Sequence, residues 1–394
     1  MSDGTLRDLS LVIPTYNRPE FLGRLLAYYR GKQSLANVLI LDSSESDIRV
    51  RNARVTADCG ARFRHAVFPS TEPVASKLAQ GLALVDTPFC ALCADDDLVF
   101  IEGLKRALTY LKGHPDCVCT DGIYLNFFRS GRDIRLKIEY ASRGIDAEHP
   151  GARVFRLYQR YESLFYGVFR TSDLAEIFAG VERNPSLHYQ ELFQATAALM
   201  IGKSYRLPVF YAGRQHCAPA QPTRDRWQTY YWFAEDRKEF LEHYVRYRGE
   251  LWEFYERRGA TPRLTKDEFV KSMDIAHAVF FGAGCPPEYF YSVLQSQWPQ
   301  DRFKHDPKDD DVFNQLKGAP RRSWRWPVRR FAKWLEEVTS IDPSPSGVDA
   351  INRAVQQQFR TPWNCVLEPE VRWLANSDRF REAYLELCRY MDGS

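Results

Sequence analysis

Phe89-Cys90-Ala91-Leu92-Cys93-Ala94 is an apolar run of strand length that stops at three consecutive carboxylates, Asp95-Asp96-Asp97. Leu98-Val99-Phe100 and a helical pattern from about Ile101 follow. Such a run suits a strand buried on both faces, inside a sheet covered by helices. Three adjacent acids at its end repel one another, so the arrangement calls for a cationic partner. A divalent metal holding a diphosphate is one that fits. The competing reading is a solvated acidic turn that caps the helix from Ile101, since Asp is favoured at helix N-termini.

The chain before this point alternates strand-like and helical segments. Leu9-Ser10-Leu11-Val12-Ile13 reads as a first buried strand, stopped by the turn residues Pro14-Thr15-Tyr16-Asn17-Arg18-Pro19, with a helix over about residues 19–29. Val38-Leu39-Ile40-Leu41 is a second strand closed by Asp42-Ser43-Ser44, and residues 63–68 are a third. Residues 73–85 have helical spacing, with Val74, Leu78, Leu82 and Val85 on one face. This alternation predicts an α/β fold with a parallel, doubly wound sheet, in which ligands bind beyond the carboxyl ends of the strands. The loops at residues 15–18, 42–44 and 95–97 should therefore open on one rim, whose acids, hydroxyls and arginine suit a nucleotide and its phosphates. No Gly-x-Gly-x-x-Gly and no Walker-type lysine loop follows the first strand, which disfavours a dinucleotide or kinase-like site.

Composition narrows the partners. The formal charge of +3 is too small to argue for nucleic acid. Nine cysteines without a framework, in a chain whose first eight residues lack an apolar targeting core, predict reduced thiols in a cytosol. Cys90 with Cys93 and Cys117 with Cys119 approach zinc-ligand spacing, but both pairs sit in apolar runs and read as buried small hydrophobes. No run reaches the length of a membrane span. At 394 residues the chain has room for two domains, or for one with a large appendage.

Leu11-Val12-Ile13-Pro14-Thr15-Tyr16-Asn17-Arg18, the Asp42-Ser43-Ser44 loop and Ala94-Asp95-Asp96-Asp97, in this order and spacing, resemble the family 2 glycosyltransferases with a GT-A fold. The resemblance covers residues 8–216. It implies a Rossmann-like, mainly parallel sheet flanked by helices, a nucleotide-sugar donor, Mn2+ or Mg2+, and inversion at the anomeric carbon. Carried over position by position, it implies Thr15 and Arg18 near the nucleotide, Asp42 facing the base or ribose, and Lys77 approaching the donor. It also implies Asp95 contacting ribose or donor sugar, Asp96 beside it in the donor site, and Asp97 holding the metal. The second loop opens with one acid, Asp42, where the family often has two.

Residues 117–128 and 134–140 read as a hairpin. Residues 164–169 read as another strand, in which Gly167 marks a close backbone approach. A helix from about Leu187 carries His188, Tyr189, Gln190 and Glu191 in its first turn. This segment resembles the one bearing the catalytic acid in the same family, which makes Glu191 the expected general base; Gln190 stands where a second acid is common. Asp173 and Glu162 are the alternatives, and a first-turn Glu also suits the positive end of any helix. Residues 205–211 form a further strand leading to Gly213-Arg214-Gln215-His216. By the family's pattern, His216 completes the metal shell and Arg214 meets a phosphate. Residues 217–226 form a loop of a size to close over a donor, or a plain linker.

These readings divide the chain into a GT-A catalytic domain over 1–216, a lid or linker over 217–226 and a helical region over 227–394. Helical spacing covers 227–258, 266–281 and 287–297. Residues 317–335 hold seven basic residues, no acid and three tryptophans. Arg321, Arg322, Trp324, Arg325, Trp326, Arg329 and Arg330 would suit an anionic membrane surface or a lipid-linked diphosphate acceptor. They would also suit a helix packed inward and paired with Asp309-Asp310-Asp311 and Glu336-Glu337. The expectation is a cytosolic, metal-dependent inverting glycosyltransferase, peripheral at the inner face of the cell membrane, acting on a glycan or lipid-linked acceptor in surface or exopolysaccharide synthesis. A nucleotidyltransferase would need a glycine-rich basic loop that residues 14–19 do not form, and a sugar-nucleotide-binding relative without turnover is the non-enzymatic alternative.

Overall fold

A computed structural model describes residues 6–32, 35–138, 140, 144–184, 186–216, 236–259, 261–281, 352–353, 363–367, 375 and 377–393. The expected lid at 217–226, the helix at 287–297 and the basic segment holding Arg321, Trp324 and Arg330 lie outside the described residues.

β1 (Leu6–Thr15), α1 (Pro19–Arg30), β2 (Leu35–Asp42), α2 (Ser46–Ala57), β3 (Phe63–Val67), α3 (Val74–Leu82) and β4 (Phe89–Leu92) give parallel strands in the spatial order β3-β2-β1-β4. Their continuous apolar runs are needed because both faces are covered. Leu9, Leu11 and Ile13 of β1, with Val38 and Ile40 of β2, join one core; Val12, Leu39 and Leu41 join the other. Side-chain alternation along a strand thus fills two helical layers from one run.

β5 (Leu98–Val99), α4 (Ile101–Gly113), β6 (Cys117–Ser130), β7 (Asp133–Ile138), β8 (Gly144–Ile145) and α5 (Pro150–Gln159) come next. They are followed by β9 (Val168–Arg170), α6 (Thr171–Val181), α7 (Leu187–Ile201) and β10 (Lys203–Gln215). β9 runs antiparallel between β4 and β6, which makes the sheet mixed, though parallel across β3-β2-β1-β4. β6 is long enough to take β9 and then β7 along one edge and β10, in parallel, along the other. β5 then pairs antiparallel with β10, Gly213 opposite Leu98, so the residues just after the acidic triplet are drawn to the end of β10.

Among its described residues, the C-terminal region is helical apart from one strand. α8 (Arg237–Arg258) and α9 (Lys266–Phe281) pack against α5, α6 and α7. β11 (Asn364–Leu367) extends the sheet beside β7, and α10 (Asp378–Asp392) packs on α1 and β10. Composition shows the helical spacing of this region but not that its last part returns to the first core, where Phe380, Tyr384, Leu387 and Tyr390 are buried.

The strand expected over 164–169 forms only at its end. Residues 164–167 bend instead, with Gly167 N–H donating to Leu164 O at 3.1 Å. Gly167 is required for close approach: a Cβ there would collide with Cys119 Sγ. Gly167→Ala is expected to destabilise the fold by about 1–3 kcal/mol in urea unfolding, as overpacking does, with part of the loss recovered in the Gly167→Ala/Cys119→Ala double variant. Equal losses in the two proteins would refute the contact.

Candidate functional site

Parallel registry brings Thr15 opposite Asp42, and β4 delivers the acidic triplet beside them. Thr15 Oγ1 donates to Asp95 Oδ2 at 2.7 Å, and Arg18 Nη1 reaches Asp96 Oδ2 at 2.9 Å and Asp95 Oδ1 at 3.4 Å. Lys77, buried on α3, donates to Thr15 O at 2.8 Å and Ser43 Oγ at 2.7 Å, so one cation ties the two loops together. Burial pulls that ammonium down to about 8, against the pull of Asp42 and Asp95. Burial pushes the Asp95 carboxyl up to about 6, although hydrogen bonds from Thr15 and Arg18 oppose it. The triplet does not cap α4. That helix begins after Phe100, without a side-chain cap, and β5 lies between.

Asp42 is placed wholly inside, where its oxygens accept from Ser44 N (2.8 Å) and Asn52 Nδ2 (3.0 Å) and meet His65 Nε2 (2.9 Å). Burial raises its carboxyl, but these hydrogen bonds outweigh it and hold the group well below the carboxylate range. Asp42 thus shapes the Ser43-Ser44 loop from behind. Asn17, at φ 54°, clips that loop to β1: its N–H donates to Ser44 Oγ at 2.9 Å and its Oδ1 accepts from Glu45 N at 2.9 Å. Asn tolerates the left-handed region better than most residues. Tyr16 between them is 48 % exposed on the rim.

Asp97 lies deeper, 5 % exposed. Gln215 N–H donates to its Oδ1 at 2.7 Å, the Tyr166 hydroxyl donates to its Oδ2, and Arg214 Nε stands 3.8 Å from Oδ2. Burial and the neighbouring Asp96 push the carboxyl up to about 7 against Arg214 and these hydrogen bonds. Arg214 also donates to the Tyr140 hydroxyl at 3.1 Å and is the charge that opposes the upward shift of Glu191. Glu191 is the fifth residue of α7, past the first turn, so helix-end electrostatics do not account for it. No described residue hydrogen-bonds its carboxylate, and burial pushes it up to about 7. Gln190 is used elsewhere, its Nε2 donating to Asn184 O at 2.7 Å.

The structure therefore brings Thr15, Arg18, Lys77, Asp95, Asp96, Asp97, Arg214 and Glu191 to one rim. His216 stands at its margin, exposed, stacked on Phe128 at 4.4 Å with Nε2 3.0 Å from Asn126 Nδ2. Among the described residues no group of three His, Cys, Asp or Glu side chains has metal-binding spacing. The alternative acids are paired away from the rim, Asp173 with Arg258 at 2.6 Å and Glu162 with Arg206 and Arg160. Cys90, Cys93, Cys117 and Cys119 are buried free thiols. Sequence reasoning missed Tyr166, Tyr140, Gln215, Asn52 and His65, because nothing local marks them before the bend at 164–167 and the β5–β10 pairing are known.

A mostly parallel sheet flanked by helices, with an acidic turn at a strand end faced by two arginines, makes a fold of the GT-A type, and the half-buried Glu191 lies within reach of the Arg214 charge. Residues 10–174 match the family described as Glycosyl transferase family 2. The match ends before Glu191 and Arg214. Comparison with the curated proteins gives no match. Similar solved structures include Staphylococcus aureus TarS 1-349 in complex with UDP, 14 % identical, covering 98 % of this chain and 92 % of that chain at a TM-score of 0.43. TarS 1-349 with UDP-GlcNAc is 11 % identical, covering 75 % and 93 % at 0.41. The mannosyltransferase PcManGT from Pyrobaculum calidifontis in complex with GDP-Man and Mn2+ is 14 % identical, covering 77 % and 83 % at 0.38.

Proposed function

We propose that the protein moves a sugar from a nucleoside diphosphate donor to a hydroxyl of a glycan or lipid-linked acceptor, with inversion at the anomeric carbon. Arg214 carries this assignment: its guanidinium stands 3.8 Å from Asp97 Oδ2, and its charge also reaches Glu191. Thr15, Arg18 and Lys77 would bind the nucleotide and its phosphates. Asp97 would hold Mn2+ or Mg2+, with the carboxylates of Asp95 and Asp96 beside it in the donor site. Their all-oxygen donors suit a hard cation, and two buried carboxyls with raised affinity for protons are what an added positive charge would ionise. When bound, the ion would neutralise the diphosphate charge that grows on departure.

Glu191 takes the proton of the acceptor hydroxyl as that oxygen bonds to the anomeric carbon, and the bond from that carbon to the diphosphate oxygen breaks on the opposite face. Arg214 then shares its charge with the departing diphosphate. Tyr16 offers a flat exposed ring to the base. Among the described residues no helix is long and apolar enough to cross a membrane. The basic segment around Arg321, Arg322, Trp324, Arg325, Trp326, Arg329 and Arg330 would address an anionic cytosolic surface or a lipid-linked acceptor.

A thermal-shift screen of nucleoside diphosphates with Mn2+ or Mg2+ tests the donor class, because a ligand that binds only the native state raises its melting temperature. No shift with any base and either metal would overturn the proposal. With Glu191 poised at about 7, kcat/KM is expected to fall about tenfold per pH unit below 7 and to level off above it, since the base acts only when ionised. The same shift has the opposite sign for stability. The folded chain binds this proton more tightly than the unfolded one between about pH 4.5 and 7, so stability contributed by Glu191 declines as pH rises through that window.

A further inference from the structure

We infer that the C-terminal helix α10 is part of the donor site, with Tyr390 acting through Arg24 as a positioning residue for the acidic turn. The inference rests on the sugar transfer proposed above. Tyr390 is fully buried, and its hydroxyl donates to the main-chain carbonyl of Asp96 at 2.9 Å. The same hydroxyl accepts from Arg24 Nη2 at 2.8 Å, so it is held both as donor and as acceptor. Arg24 Nη2 also lies 3.5 Å from Asp96 O and 2.5 Å from Gln215 Oε1, while the guanidinium stacks 4.3 Å from the centre of the Tyr390 ring.

These contacts close a loop around Asp97. Its N–H donates to Ala94 O at 3.2 Å, and the carbonyl on the same peptide plane is the one Tyr390 holds. One plane is thus fixed at both ends. Gln215, whose side chain Arg24 holds, supplies the N–H that orients the Asp97 carboxylate. Three adjacent acids would otherwise relax by turning that peptide to spread their charges. Arg24, half-buried beside the turn, opposes this both by hydrogen bonding and by its charge. The shorter of the two hydrogen bonds to Asp96 O comes from a residue 294 positions further on, and the other, at 3.5 Å, from Arg24.

Tyr390→Phe keeps the ring that packs on Arg24 and Tyr28 and removes only the hydroxyl. Two measurements on the full-length chain judge it: amide hydrogen exchange over residues 94–99, and affinity for the nucleoside diphosphate–Mn2+ pair that shifts the wild type. Exchange is expected to quicken about tenfold there, with donor affinity and kcat/KM lower by five- to tenfold, the scale of one lost hydrogen bond. The melting temperature should move little. Unchanged exchange would overturn the anchor, and faster exchange with donor affinity within twofold of wild type would overturn its role in the site. A wild type that takes no nucleoside diphosphate would count against the proposed reaction, while the exchange result alone would still uphold or refute the anchor.

Discussion

Glu191→Gln is expected to lower sugar transfer by about 10²- to 10⁴-fold, the range that removal of a general base gives, while nucleoside diphosphate affinity stays within about twofold. The amide has the size of the acid, and no described residue hydrogen-bonds the carboxylate, so no partner in the fold is lost. Burial already favours the uncharged form, so the variant should be as stable as the wild type or slightly more so at neutral pH. The acid limb of the pH profile should also vanish from the residual activity. Initial rates with isothermal titration of the nucleotide separate the outcomes: full transfer by the variant would dismiss Glu191 as base, and a parallel loss of nucleotide binding would make it part of the donor site.

Asp97→Asn is expected to weaken Mn2+-dependent nucleotide binding by about 10²-fold or more and to lower transfer by at least as much, since a preorganised charge at the leaving group is typically worth 10²–10³ in rate. Metal-free stability should barely change, because burial brings Asp97 close to its neutral form near pH 7 and the amide mimics that form toward the Tyr166 hydroxyl. The two variants thus lose different things. Glu191→Gln keeps the nucleotide and loses the reaction; Asp97→Asn loses the ion-linked nucleotide itself. Metal titrations followed by fluorescence or calorimetry would show it, and wild-type Mn2+-linked affinity in Asp97→Asn would remove Asp97 from the cation site.

The parallel half of the sheet was legible because both of its faces are buried: Leu9 to Ile13 and Val38 to Leu41 can be little else in a chain that alternates with helices. The strand-end rule then sufficed to gather Thr15, Arg18 and the acidic triplet. Three things were hidden. Asp42 looks like a ligand-facing acid in the sequence, but its saturation by Ser44, Asn52 and His65 depends on how α2 and β3 pack behind it. Tyr166 reads as a strand residue until Gly167, forced against Cys119, bends the chain and turns its hydroxyl onto Asp97. Tyr390 sits on an amphipathic helix that could cover any apolar surface, and periodicity alone does not say which.

The lateness of β10 has a practical result. A gene fragment trimmed to residues 10–174 would encode the acidic turn without the strand that carries Arg214 and Gln215, and would leave an edge of β6 with open peptide groups. Such edges recruit other chains. The excised piece should therefore come out of the cell as inclusion bodies rather than as a small nucleotide binder, so any attempt to graft or minimise this scaffold has to carry the chain through its final helix.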